Sequence, residues 1–98
     1  MTALESKHEA DLRKAVVAAG GMCFKLPASL YRGISDRLVL LPGGRVWFIE
    51  LKRAGASTNP RTGLHQEKFR RAIFTLGLNH VRLEGPDQLK EWIHEHIN

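Results

Sequence analysis

The sequence has little cysteine and no long apolar segment. Cys23 is the single cysteine among 98 residues, so an internal disulfide is excluded and no Cys-x-x-Cys pair exists to bind zinc. The longest apolar runs span about five residues, whereas a membrane-spanning helix needs roughly 20. Residues 1–9 contain no apolar stretch of the kind that a secretion signal requires. We therefore expect a cytoplasmic protein that is not associated with a membrane.

An excess of positive charge is the main feature of the composition. The chain has 15 Lys and Arg residues against 10 Asp and Glu residues, which gives a formal net charge of +5. This balance favours a polyanionic partner, although many basic proteins have none. The length predicts a single domain over residues 1–98, because one domain usually contains about 50 to 250 residues.

Apolar periodicity and turn residues predict the element order α-β-β-β-α-β-α, a mixed central sheet flanked by helices. The first helix is expected to begin with a capping box at Thr2 and Glu5 and to end before Gly20-Gly21. Residues 53–63 are expected to form an irregular loop. The predicted helices and strands cover residues 2–19, 22–26, 37–41, 45–52, 64–76, 79–84 and 86–97.

The strand at residues 45–52 ends in two charged side chains. Its interior, residues 46–49, is apolar on both faces, as in a central strand that is covered on both sides. Glu50 and Lys52 share a face with Phe48, because alternate residues of a strand point the same way. Desolvating such charges is costly unless they are paired or bound to a ligand. The alternative is a strand end that has reached solvent and bears an ordinary ion pair.

The hairpin turn at residues 42–44 decides what faces Glu50. A two-residue loop at Gly43-Gly44 would send Asp36 to the opposite face of the sheet. A three-residue loop, with Pro42 in a type I turn and Gly44 left-handed, instead places Asp36 across from Glu50. Two carboxylates with side-chain bases about 5 Å apart repel each other unless a cation lies between them. The turn therefore predicts a site for Mg²⁺ or Mn²⁺, which prefer oxygen ligands.

Two more polar residues lie on helix stripes that should be apolar. Glu9 continues the stripe of Leu12 and Val16, and Gln66 continues that of Phe69. Each has an ordinary explanation as well: a first-turn Glu favours the helix dipole, and a Gln near a helix start often faces solvent. Because Glu9 and Gln66 are out of place in the same way as the predicted carboxylate pair, one site that contains all of these residues is favoured.

The segment Gly33-Ile34-Ser35-Asp36, followed by Glu50-Leu51-Lys52, resembles the Asp…Glu-x-Lys signature of the PD-(D/E)XK nuclease superfamily. Between Glu9 and about Arg82 the chain is similar to the VRR-NUC branch, through Gly20-Gly21, Lys25, Arg32-Gly33, Asp36-Arg37-Leu38-Val39-Leu40, Gly43-Gly44-Arg45-Val46, Phe48 and Gln66. Ser35 replaces a Pro that is common in the family. The resemblance implies a restriction-endonuclease-like, Holliday-junction-resolvase-like α/β fold. It also implies a bacterial or phage-infected host cell as the setting.

The resemblance further implies a DNA endonuclease that depends on Mg²⁺ or Mn²⁺, needs no organic cofactor and acts on branched DNA, such as a Holliday junction or flap, as a homodimer. Asp36, Glu50 and the backbone carbonyl of Leu51 would hold the metal. Lys52 would orient or deprotonate the attacking water and neutralise the transition state. Further roles are implied for two helical residues: Glu9 at a second metal or a metal-bound water, and Gln66 as a hydrogen-bond partner of that water or of Lys52.

Basic residues on both sides of this site are predicted to contact DNA phosphates: Lys25, Arg32, Arg37, Arg53, Arg61, Lys68, Arg70 and Arg71. Each has the alternative of only solvating the surface. Candidate dimer surfaces are the apolar side of the last helix, with Leu89, Trp92 and Ile93, and the face of Trp47. A non-catalytic DNA-binding or assembly subunit on the same fold is the alternative function. A sequence-specific restriction enzyme is disfavoured, because 98 residues leave little room for recognition loops.

Overall fold

A computed structural model describes residues 6–97 and confirms the predicted order of elements. No helix in this part of the chain is long and apolar enough to cross a membrane. The elements, in chain order, are α1 (Lys7–Ala18), β1 (Met22–Lys25), β2 (Arg37–Leu41), β3 (Arg45–Lys52), α2 (Pro60–Thr75), β4 (Asn79–Glu84) and α3 (Gly85–His96).

The strands form one mixed sheet in the order β1-β2-β3-β4. The first three strands are antiparallel neighbours, and β4 lies parallel to β3 after the α2 crossover. One face of the sheet packs on α1 and α3 to form the main core of Leu12, Val16, Val39, Leu41, Ile49, Leu83, Leu89 and Trp92. On the other face, Phe48 of β3 meets Phe69 of α2 edge-on, with ring centroids 5.4 Å apart. Glu50 and Lys52 therefore belong to the α2 side.

The register of the β2–β3 hairpin is the predicted one. Leu38 lies opposite Phe48 and Leu41 opposite Arg45, as a three-residue loop requires. The predicted turn type is wrong, however, because Gly43 has φ +84° as well as Gly44 at +74°. A type I turn needs φ near −90° at its second inner position, and positive φ there is the mark of a type II turn. Two consecutive glycines meet this demand at little steric cost.

All three helix starts differ from the expectation, that of α3 by one residue. The second helix begins at Pro60, four residues before the predicted Leu64, because the Asn59 side chain accepts a hydrogen bond from the Arg61 N–H at 2.9 Å. Pro60 occupies the first helical turn, where its missing N–H is harmless. The first helix begins at Lys7, with Ser6 as its N-cap. The predicted cap residues, Thr2 and Glu5, lie outside the described residues.

The apolar side of α3 belongs to the core and is not a dimer surface. Leu89 and Trp92 are buried, and Ile93 packs against them. Trp47 meets Trp92 in an edge-on contact with ring centroids 5.2 Å apart. The prediction that Leu89 and Trp92 form a dimer surface is therefore wrong, because α3 uses these residues to close the sheet. The face of Trp47, which is only partly buried, stays a prediction.

Gly33 lets the segment before β2 approach the backbone of α2. Its φ is +84°, and a Cβ at this position would lie 2.2 Å from the His65 carbonyl oxygen and 2.8 Å from the Gln66 nitrogen. Glycine is thus required here for its conformation and for its lack of volume. This contact sets the distance between the Asp36 segment and the helix that bears Gln66.

We predict that Gly33→Ala destabilises the protein far more than Gly43→Ala. Gly43 also has positive φ, but an added Cβ there meets nothing within 4 Å among the described residues. Gly43→Ala should therefore lower the free energy of unfolding by about 1–2 kcal/mol, the strain of a left-handed residue. Gly33→Ala adds a backbone clash and should lower it by about 3 kcal/mol or more. Urea unfolding measures both values, and equal losses would contradict the prediction.

Candidate active site

Asp36 and Glu50 meet where β2 begins and β3 ends. The Asp36 N–H donates a hydrogen bond to Glu50 Oε2 at 3.0 Å. The Leu51 N–H in turn donates to both carboxylate oxygens of Asp36, at 3.3 and 3.2 Å. Glu50 is only 7% exposed, so this is not a strand end that has reached solvent. Backbone donors of each strand therefore hold the carboxylate of the other.

Two side chains converge on the other oxygen of Glu50. Lys52 Nζ lies 3.2 Å from Glu50 Oε1, as expected for alternate residues on one face of a strand. Gln66 Nε2 of α2 donates to the same oxygen at 2.9 Å. Gln66 thus binds the carboxylate directly, whereas the sequence predicted a bond to Lys52 or a water. The pair of acids is thus contacted by the main chain just before β2, by two donors of β3 and by one side chain of α2.

The pKa of Asp36 is raised from 3.8 to about 6. Burial is the main cause, and the negative charge of Glu50 is the second. The Leu51 N–H and the positive charges of Arg37 and Lys52 oppose this rise in the pKa without cancelling it. The neighbouring positive charges therefore do not fully compensate the negative charge of the carboxylate pair, as expected for two facing carboxylates.

The chemistry of the donor set fits a hard divalent cation. Asp36 and Glu50 offer carboxylate oxygens from adjacent strands, which Mg²⁺ and Mn²⁺ prefer. Residues 6–97 contain no group of three or more His, Cys, Asp or Glu side chains that could hold a metal. Further ligands would therefore be backbone carbonyls or waters, which Mg²⁺ commonly retains.

Glu9 reaches the border of the site but is already paired. It lines a cavity together with Asp36, Leu51 and Lys52. Its carboxylate forms an ion pair with the guanidinium of Arg37. The prediction that Arg37 contacts DNA needs correction, because this side chain is only 4% exposed and points toward α1.

A wide cleft opens on the opposite side of the carboxylate pair. It has a volume of about 450 Å³ and is lined by Asp36, Glu50 and Gln66 together with Arg32 and His65. The predicted phosphate contacts at this end of the molecule are exposed, namely Lys25, Arg32, Arg53, Arg61 and Lys68. Basic side chains thus surround an acidic centre.

Arg70 and Arg71 are less available for a phosphate than the sequence suggested. Both bind Glu67, with Arg70 Nε 2.8 Å from Oε2 and Arg71 Nε 3.3 Å from Oε1. The hydrogen bond from Arg70 is the main reason that the pKa of Glu67 falls to about 2. Arg70 also lies over the ring of Phe74, 5.3 Å from its centroid.

The sequence reasoning missed two residues of β4. The parallel pairing places Arg82 directly beside Glu50, and His80 and Arg82 line an inner cavity under α2 that also reaches Glu50 and Gln66. Burial lowers the pKa of His80, and its Nδ1 has no hydrogen-bond partner within residues 6–97. The alignment of β3 with β4 depends on a helical crossover, so no local turn signal reveals it.

Comparisons with known proteins bear on the fold and the family, although no family model matches the chain. The protein called "Putative nuclease p44", from Acyrthosiphon pisum secondary endosymbiont phage 1, is 32% identical over 83 residues, which is 85% of each chain. A solved structure titled "VRR_NUC domain" is 25% identical with a TM-score of 0.66, and covers 93% of this chain and 99% of its own.

A more distant structure has the same fold. Hjc, a Holliday junction resolvase of Archaeoglobus fulgidus, is 16% identical with a TM-score of 0.54, over 81% of this chain and 65% of Hjc. The fold is therefore the predicted Holliday-junction-resolvase-like one. Identity over most of the phage protein and structural agreement over nearly the whole VRR_NUC domain show that the chain belongs to the VRR-NUC branch of the PD-(D/E)XK nuclease superfamily.

Proposed function

We propose that the protein is a DNA endonuclease that hydrolyses phosphodiester bonds with the aid of Mg²⁺ or Mn²⁺. The observation that supports this most directly is the buried pair of Asp36 and Glu50, joined by backbone hydrogen bonds and contacted by Lys52. Such a pair is unfavourable for the fold alone, because burial and mutual repulsion raise the pKa of Asp36. A metal-dependent reaction accounts for both carboxylates and for the lysine.

Asp36, Glu50 and the backbone carbonyl of Leu51 would hold the metal. When bound, the ion supplies a Lewis acid that activates water and polarises the phosphate. Lys52, fixed 3.2 Å from Glu50 Oε1, places a positive charge at the edge of the same site. We assign it to orienting the water and stabilising the negative charge that develops on the pentacoordinate phosphorus.

Two residues complete the proposed machinery from the helices. Gln66 holds the Glu50 carboxylate by its bond to Oε1, and we propose that its amide also binds a water beside Lys52. Glu9 would hold a metal-bound water or a second metal ion from the α1 side, where it shares a cavity with Asp36. The two helices thus approach the carboxylate pair from opposite faces of the sheet.

The exposed basic residues are the proposed contacts to the DNA backbone. Lysine and arginine contacts to phosphates position a duplex without reading its sequence. The proposed set omits the buried Arg37, and Arg70 and Arg71 contribute less because both bind Glu67. It consists of Lys25, Arg32, Arg53, Arg61 and Lys68, with Arg70 and Arg71 at its edge.

We further propose that two copies act together on branched DNA. Residues 6–97 contain one pair of facing carboxylates at the site, and a symmetric branch is cut on two strands by two sites related by a two-fold axis. An exposed apolar patch supports the proposed dimer. In this patch Met22 and Phe24 of the edge strand β1 are 55% and 41% exposed. Their neighbours across the strand pair are Leu40 and Leu38, so the patch continues into β2.

We predict that Asp36→Ala, Glu50→Ala and Lys52→Ala each abolish cleavage of four-way or flap DNA in Mg²⁺. Asp36→Ala should still bind the DNA, since binding depends on the basic surface. Cleavage of labelled DNA and gel-shift affinity in EDTA measure the two properties. Asp11→Ala is the matched control, because this carboxylate is paired with Lys7 on the exposed side of α1.

A fully active Asp36→Ala/Glu50→Ala double variant would overturn the proposal. The absence of Mn²⁺ binding to the wild-type protein by calorimetry would favour the non-catalytic DNA-binding subunit. Full cleavage by the wild-type protein in excess EDTA would contradict the metal requirement.

Asp36→Asn should stabilise the metal-free protein, and increasingly so as the pH rises from about 4 to 7. The folded pKa of Asp36, about 6, exceeds the ordinary value of 3.8. The folded state therefore binds this proton more tightly, and wild-type stability falls as the pH rises through that window. The expected gain near pH 7 is about 1–2 kcal/mol, since partial solvent exposure reduces the roughly 1.4 kcal/mol per pKa unit.

Urea unfolding at several pH values in EDTA measures this difference. Mn²⁺ should then stabilise the wild-type protein and leave Asp36→Asn nearly unchanged, because the variant lacks one carboxylate ligand. A gain that does not vary with pH would contradict the assignment to Asp36 ionisation.

Phe24→Lys should convert the dimer into a monomer and reduce the preference for branched over linear DNA. The charge would lie within the apolar patch of β1, where burial against a second copy is costly. Light scattering measures the mass, and Leu76→Lys is the control because this exposed apolar residue lies at the end of α2. A wild-type protein that is monomeric at micromolar concentration would refute the dimer.

A further inference from the structure

Arg37 occupies a position where the fold calls for an apolar side chain. It alternates along β2 with Val39 and Leu41, and all three are buried on the side of α1. Arg37 as a whole is 4% exposed, although arginine is almost never fully buried without a partner. The desolvation penalty of such a charge has to be offset by its contacts.

Two contacts of the Arg37 side chain lead to the proposed metal site. Its guanidinium forms an ion pair with Glu9 of α1, and Nη1 donates to the Asp36 carbonyl oxygen at 3.2 Å. Glu9 in turn lies in the first helical turn, where its N–H donates to the Ser6 side chain at 3.2 Å. One side chain therefore joins the start of α1 to the main chain of the residue that bears the first carboxylate.

Stability of the fold alone does not account for this arrangement. Replacing a buried ion pair by apolar side chains of similar volume is often neutral or stabilising. An apolar residue at position 37 would continue the row of Val39 and Leu41. What the arginine adds is a fixed geometry: it holds the Glu9 carboxylate at the cavity that Asp36 and Lys52 also line.

We infer that Arg37 is a positioning residue of the metal site, which aligns Glu9 and the Asp36 main chain without touching substrate. This inference rests on the proposed function, since it assumes that Asp36 and Glu9 serve a metal-dependent reaction. It replaces the role in DNA binding that the sequence suggested for this arginine. Loss of the guanidinium should loosen the ligands and leave the DNA-binding surface intact.

The test compares Arg37→Met, Arg37→Lys, Glu9→Gln and the double variant Arg37→Met/Glu9→Gln. Arg37→Met should reduce Mn²⁺ affinity and kcat by about 10- to 100-fold, the usual effect of losing a group that orients metal ligands. The KM and the DNA Kd in EDTA should change less than about two-fold. Arg37→Lys keeps the charge and should recover part of kcat.

The double variant separates positioning from simple damage to the fold. If Arg37 acts through Glu9, the double variant should lose no more activity than the worse of the two single variants. It also removes the unpaired, partly buried carboxylate that Arg37→Met leaves, so it should be at least as stable as that variant by urea unfolding. Arg45→Met is the control, because Arg45 donates to the Pro42 and His96 carbonyls away from the site.

Three outcomes would overturn the inference. The first is that Arg37→Met retains the wild-type kcat and Mn²⁺ affinity. If Arg37→Met does not fold, the same result in the double variant counts instead. The second is a weaker DNA Kd in EDTA with unchanged kcat, which would make Arg37 a DNA contact. The third is independent, multiplicative losses in the double variant. Asp36→Ala serves as the reference: if it still cleaves, the proposed function fails as well, and if it is inactive, only the role of Arg37 is refuted.

Discussion

The pairing of β2 with β3 is the constraint from which the rest of the site follows. A three-residue turn at 42–44 sets this register, and the register brings the Asp36 and Glu50 carboxylates together. These acids face each other in a partly buried setting, and the side chains around them are hydrogen-bond donors or charged groups. Lys52 and Gln66 converge on one oxygen of Glu50, while α1 delivers a further acid that is neutralised by an arginine.

Local chemistry made the hairpin predictable. Turn residues act over a few positions, so the loop length, the strand register and the facing acids could all be read from residues 36–52. The type of turn could not, because proline and two glycines are compatible with more than one geometry. The start of α2 was placed too late, since Asn59-Pro60 was assigned to the loop although it caps the helix.

Contacts between distant parts of the chain were harder to predict. The positions of Glu9 and Gln66 on their helices predict that both lie near the site. They do not predict the partners of these residues, because helical periodicity shows which way a side chain faces and not how far it lies from another element. The sequence predicts a DNA contact for Arg37, since a buried arginine on a strand has no local signature. The position of Arg82 beside Glu50 depends on the parallel pairing of β3 with β4, which are joined through a helix. Such a connection contains no tight turn from which the register could be predicted.

The contrast between local and distant contacts has a consequence for the order in which the chain folds. A hairpin whose acids are 14 residues apart closes a short loop, whereas α1 and β4 must search over longer stretches. On these grounds we expect the two carboxylates to meet while water still surrounds them and weakens their repulsion. The energetic cost of their repulsion and desolvation arises only as the helices dock and exclude water. Protonation or a bound cation should then act on the late docking step, and the speed of early hairpin closure should be independent of both.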